Sequence, residues 1–215
     1  MPRQPRSKPD DATKLLAEAM GLIADEGWHR FSFSALSRRS GVPLDRVYAV
    51  FPCRHAILKT LGGKANEAML ASAVPDLLEQ PAKDRLFELL MSRLDALKPY
   101  KDGVRALVAA ARRDPVIGLT AACNAERTIA WVMDAAGLER RSLRGLATSR
   151  ALGLVALQVG RVWLDDDADD LPKTMAELDK RLAQIERFPG WTLRAGEMPS
   201  PPVAEADEVP QAPVM

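Results

Sequence analysis

Two glycines, Gly27 and Gly41, constrain this chain most, because each follows a run at helical spacing and precedes an apolar residue. Ala12, Leu15, Leu16, Ala19, Leu22 and Ile23 recur every three or four positions, the period that puts one apolar stripe on a helix. Asp10 or Asp11 can cap the amino end of that helix, and Gly27 supplies a left-handed stop, with Trp28 placed to fold back on the last turn. Ser32 opens a second helix, its hydroxyl positioned to accept from an amide near Ala35, and Phe33, Leu36 and Ser37 face inward. Gly41 permits a tight turn at positive φ, after which Val42 packs inward. Leu44 to Val50 forms the next helix, with Leu44, Val47 and Tyr48 spaced to touch the first two. Helix, glycine turn, helix is the helix-turn-helix motif.

The rest of the chain extends the helical reading. Hydrophobic residues make up 47% of the 215 positions and aromatics only 5%, and no Asn-Gly type of hairpin pair occurs, so an all-α fold is expected. The organisation reads as a disordered basic arm (1–9), a helix-turn-helix head (10–61), a larger helical body (62–194) and a disordered, proline-rich acidic tail (195–215). Trp191 is placed to pack against the body.

Charge divides along the same line. Residues 1–64 hold 11 Lys/Arg against 6 Asp/Glu, a net +5, and residues 65–215 hold 19 against 23, a net −4. A basic head on an acidic body suits contact between the head alone and a polyanion. The amino end lacks the apolar run of a secretion signal. The most apolar stretch, 145–164, is interrupted by Arg150, Gln158 and Arg161, so no membrane insertion and a cytoplasmic location are expected. Cys53 and Cys123 read as free thiols.

Residues 12–61 resemble the amino-terminal domain of the TetR family of transcriptional repressors. The likeness rests on Glu26-Gly27-Trp28, Phe31-Ser32-Phe33, Leu36, Gly41-Val42, Tyr48, Phe51-Pro52, Arg54 and Ala56-Ile57-Leu58, all in order and at the family's spacing. The resemblance implies an all-helical homodimer whose three-helix head binds double-stranded operator DNA and whose body binds a small apolar effector that loosens the grip. The DNA-binding candidates are Ser32, Leu44, Asp45, Arg46, Tyr48, Arg54 and Lys59. Arg46 can fork onto guanine O6 and N7, and Tyr48 can donate to a phosphate. Arg54 can approach the DNA backbone with its helix's first amides. Arg38, Arg39 and Lys59 add non-specific attraction, and Arg3, Arg6 and Lys8 of the arm can reach a minor groove. The chain departs from the family at Pro43, Asp45, Ala49, Val50, Cys53 and His55, so the motif supports the fold more firmly than the reading of DNA.

Beyond the head, residues 53–73 read as a linking helix interrupted by Gly62-Gly63, either a hinge or a simple kink or packing contact. Leu86, Leu89, Leu90, Leu94 and Leu97 mark a helix ending near Pro99. Residues 104–113 mark another, stopped by Asp114-Pro115, and residues 119–136 a third, closed by Gly137. The candidate effector-binding residues are Cys123, Asn124, Thr128, Trp131 and Gln158, with core packing as the alternative for Trp131 and Met133. Small residues between Gly145 and Gly160, and a stripe of Leu171, Met175, Leu178, Leu182 and Ile185 on a helix opened by Asp170 and Pro172, predict a dimer formed through the last two helices.

Asp167, Asp170-Leu171, Thr174, Leu178-Asp179 and Arg181, after Trp163, carry a weaker resemblance to the ubiquinone-biosynthesis accessory proteins. These are lipid binders of the TetR fold that do not repress genes, so a lipid- or isoprenoid-binding accessory protein is the competing expectation. No enzyme, cofactor or metal site is expected. Gly62-Gly63-Lys64-Ala65 lacks the pattern of a phosphate loop, and Cys53 and His55 have only His29 as a further imidazole. In the acidic run 165–170, Asp170 stands where a calcium loop needs glycine and Ala176 where it needs glutamate, so a solvated connection capping the last helix is expected.

Overall fold

A computed structural model describes residues 9–73 and 75–187. The arm residues Arg3, Arg6 and Lys8, the side chains of Asp10 and Asp11, Trp191 and the acidic tail lie outside the described residues. The described chain forms α1 (Pro9–Glu26), α2 (Phe33–Ser40), α3 (Leu44–Val50), α4 (Arg54–Ala71), α5 (Ala82–Leu97), α6 (Lys101–Ala111), α7 (Pro115–Ala135), α8 (Leu143–Leu164) and α9 (Pro172–Glu186).

The first two helices end where local chemistry says they should. Gly27 and Gly41 take φ of 82° and 71°, and each amide donates back to the preceding turn, to Ile23 and Ser37. Ser32 Oγ accepts from the Ala35 amide at 3.2 Å. The turn between α2 and α3 is pinned from both sides. The Ser37 hydroxyl donates to the Val42 carbonyl at 2.7 Å, and the Val42 amide donates to Ser40 Oγ at 3.2 Å. Leu15, Leu16, Ile23, Phe31, Leu36, Val47 and Phe51 are sealed from solvent at the centre of the head. Of the three α3 residues expected to face inward, only Val47 does. Leu44 and Tyr48 are 52% and 68% exposed, because a seven-residue helix offers a single buried contact and the other positions turn outward.

Head and body share a core. Leu97, Leu107, Ile117, Trp163 and Leu171 join the same cluster as the head residues, and α6 packs directly on α1. That approach depends on Gly103, where a Cβ would lie 2.7 Å from the Met20 carbonyl oxygen. A second cluster fills the far end, from Met69, Leu86 and Leu89 to Val132, Met133, Leu152 and Leu178. Helix α4 runs unbroken through Gly62-Gly63, and the Asn124 side-chain amide donates to the Leu58 carbonyl at 3.2 Å beside that pair.

Three expectations for the body are corrected. Asp114-Pro115 stops α6 but also starts α7, four residues earlier than expected: Asp114 accepts from the Val116 amide at 2.9 Å and Pro115 takes the first helical position. The α9 stripe of Leu171, Leu178, Leu182 and Ile185 is buried within the protomer, against α5 and α8, and so is not free for a partner. Asp170 is exposed and does not cap α9. The capping carboxylate is that of Asp166, whose Oδ2 accepts from both the amide and the hydroxyl of Thr174 at 2.8 Å. Burial opposes charge on Asp166, but the Thr174 donors outweigh it and hold the carboxyl below its usual range. Two further carboxylates of the acidic run clamp the α5–α6 junction, Asp167 to Lys101 at 2.9 Å and Asp169 to Lys98 at 3.0 Å.

Candidate functional site

The outward face of α3 carries Leu44, Asp45 and Tyr48 exposed and Arg46 partly exposed. Arg46 forms no hydrogen bond or ion pair with the described residues, so its guanidinium is uncommitted. Leu44, Asp45 and Tyr48 edge a shallow hollow floored by Phe33 and Phe51. The other candidates are more engaged. The hydroxyl of Ser32 caps α2 and contacts Ser34. Arg54 donates to the Phe31 carbonyl, which ties the start of α4 to the loop between α1 and α2. Lys59 remains exposed. Arg39 is held by Asp25 at 2.6 Å and Glu18 at 3.1 Å on α1, and the Asp25 hydrogen bond is the chief reason its pKa rises. Arg30, Arg38, Arg46 and Lys59, by contrast, form no ion pair among the described residues.

A cavity of about 580 Å³ lies between α4, α5, α6, α7 and α8. Its wall is almost wholly apolar, with Leu58 and Leu61 from α4, Leu94 and Leu97 from α5, and Leu107 and Ile117 from α6 and α7. Two of the five expected ligand residues line it, Asn124 and Thr128. Cys123 and Trp131 sit on exposed parts of α7, Trp131 at 48% exposure, so neither the cavity nor the core claims that indole. Gln158 is partly buried on α8 and does not line the cavity.

The residue that sequence reasoning missed is Arg93. It enters the cavity from α5, and its Nε donates to Asn66 Oδ1 at 3.1 Å; the same oxygen accepts from Thr128 Oγ1 at 3.0 Å. Burial pushes its guanidinium pKa down to about 10. A signal was present: position 93 falls inside the stripe Leu86, Leu89, Leu90, Leu94 and Leu97, where a cation does not belong on an ordinary packed face.

A third surface lies on α8, where Leu143, Leu146, Leu154 and Leu157 are all exposed along one side of the helix. Arg150 on that helix pairs with Glu126 of α7 at 3.0 Å. Among the described residues no helix is long and apolar enough to cross a membrane.

No family model matches the chain, and no curated protein does. Solved structures do. A TetR transcriptional regulator from Nitrosomonas europaea is 23% identical, covering 81% of this chain and 97% of that one with a TM-score of 0.69. A TetR-family transcriptional regulator from Streptomyces coelicolor is 15% identical, covering 81% and 82% with a TM-score of 0.55. A TetR transcriptional regulator from Rhodococcus sp. RHA1 is 16% identical, covering 83% and 96% with a TM-score of 0.54. The chain therefore has the all-helical fold of TetR transcriptional regulators, over both head and body.

Proposed function

We propose that this chain is a TetR-type transcriptional regulator that binds operator DNA as a homodimer and is modulated by a small effector in its body cavity. The observation that carries the reading is the double membership of α4. Ile57, Leu58 and Leu61 belong to the core shared with the head, while Leu58, Leu61 and Gly62 also line the cavity. A ligand touching those residues acts on the helix that packs on α1, and α1 in turn carries α2, on which the reading helix rests. DNA contact falls to Arg46 and Tyr48, with Lys59 and Arg38 contributing attraction without sequence choice. The exposed leucines of α8 are the surface we assign to the second copy, because an unpaired row of this kind on a helix marks a partner-facing side.

The test is elution from heparin followed by selection of bound sequences from random duplex DNA. A recovered palindrome, with reading helices about 34–36 Å apart in the dimer, is the expected outcome. Failure of both steps at low salt rejects the reading. Leu143→Glu with Leu154→Glu is expected to convert a dimeric mass in light scattering to a monomeric one.

One observation favours a second reading, a lipid-binding accessory protein of the same fold. The outward face of α3 presents Leu44 and Tyr48 beside a carboxylate, Asp45, which suits phosphate contact poorly. No DNA selected but lipid retained on purification would support that reading instead.

A further inference from the structure

The charge inside the cavity points to the chemistry of what fills it. Among the described residues the lining contains one charged side chain, Arg93, and no carboxylate. Five arginines are paired with carboxylates among the described residues, Arg39 with Asp25, Arg105 with Asp102, Arg140 with Asp134, Arg150 with Glu126 and Arg181 with Glu177. Among the described residues Arg93 forms no ion pair, and the one hydrogen bond it makes there uses Nε on Asn66. The two terminal nitrogens make no bond to any described residue and are not among the buried polar atoms that lack a partner, so they keep access to open space. Asn66 Oδ1 already accepts from Thr128 as well, which fixes the Nε side of the fork and leaves the other side free.

A guanidinium stays charged at neutral pH even when burial lowers its pKa to about 10. An uncompensated charge in an apolar enclosure is unfavourable, and the fork geometry of arginine matches a carboxylate through two parallel hydrogen bonds. Beyond that fork the wall is hydrocarbon: Leu58, Leu61, Leu94, Leu97 and Leu107 can contact only an apolar chain. One end of the ligand must then be anionic and the rest aliphatic.

We propose that the cavity binds an amphipathic carboxylate, a fatty-acid-like anion whose head pairs with the free side of Arg93 and whose tail lies among the α4, α5 and α6 leucines. This deepens the reading of the cavity as an effector site and rests on that part of it, but not on DNA binding.

The experiment is direct titration of the full chain with dodecanoate and with dodecanol, both below their aggregation limits, repeated on Arg93→Met and Arg93→Lys. Wild-type protein is expected to prefer dodecanoate by about ten- to a hundredfold, the range of hydrogen bonds to charged groups. Arg93→Met is expected to lose that preference while keeping its affinity for dodecanol, and Arg93→Lys to retain part of it. The wild-type comparison needs no variant to fold. Dodecanol bound as tightly as dodecanoate, or an Arg93→Met variant that keeps the preference, overturns the proposal and leaves the cavity a binding site. Binding of neither compound overturns the proposal and the effector reading of the cavity together.

Discussion

Replacing Arg93 by methionine should make the empty protein more stable, although it removes the only ion from the cavity wall among the described residues. Burial lowers the guanidinium from its ordinary range to about 10. At about 1.4 kcal/mol per pH unit, that lowering sets a ceiling of roughly 3–4 kcal/mol on the penalty for holding the cation there. Solvent in the open cavity screens part of it. The substitution also gives up the Nε bond to Asn66, about 1 kcal/mol, but does not strand the acceptor, because Thr128 still donates to it. The net expectation is a gain of about 1 kcal/mol, or a few degrees in Tm for a chain of this size. Urea unfolding followed by circular dichroism, at matched protein concentration, measures it.

The sign with pH follows from the same numbers. A base whose folded pKa lies below its unfolded one penalises the native state fully below the folded value, and the penalty fades as pH rises from about 10 towards the ordinary guanidinium range. The variant's advantage should therefore be constant near neutrality and shrink above pH 10. A loss of 1 kcal/mol or more at pH 7 with an unchanged m-value would refute the reasoning, since it would mean that Arg93 already has a full counterpart in the ligand-free chain.

Other expectations concern the head and its seam with the body. Arg46→Ala and Tyr48→Ala each remove an outward group, so operator affinity in a mobility-shift titration should fall about tenfold or more while unfolding free energy moves by less than about 0.5 kcal/mol. Gly103→Ala drives a methyl into the Met20 carbonyl and should cost about 1–3 kcal/mol in thermal or urea unfolding. Gly63→Ala meets nothing within 4 Å inside a continuous helix and should add about 0.5–1 kcal/mol; an unchanged or lowered stability would show that α4 needs flexibility there.

The head was legible because its instructions are local. A glycine at positive φ, a serine three residues before the amide it caps and the buried Trp28 directly after the first of those glycines act within a few positions of one another. The body was legible as helices, but not in its contacts. Asp114-Pro115 is equally good grammar for an ending and a beginning, so the start of α7 was misplaced. The α9 stripe announces that something covers it without saying whether the cover is its own chain, and here α5 and α8 provide it. Asn124 and Thr128, polar on an apolar helix, line the cavity; their neighbour Cys123 does not, since one residue along is nearly a third of a turn. Arg93 was missed because its meaning depends on three helices meeting, even though its place in a leucine stripe was visible in the order of residues.

The positions of the described tryptophans equip this chain with separate optical channels. Trp28 is sealed in the head with its ring 5.8 Å from the His55 imidazole, so its emission reports on the packing of the head. Trp163 is sealed in the seam between head and body, under the Lys101 ammonium at 5.7 Å, and reports on that seam. Trp131 alone of these three faces water, and soluble quenchers such as iodide should reach it first. With Trp191 changed to Phe, a quenching titration separates what happens on the outside of α7 from what happens at the head, without attaching any label.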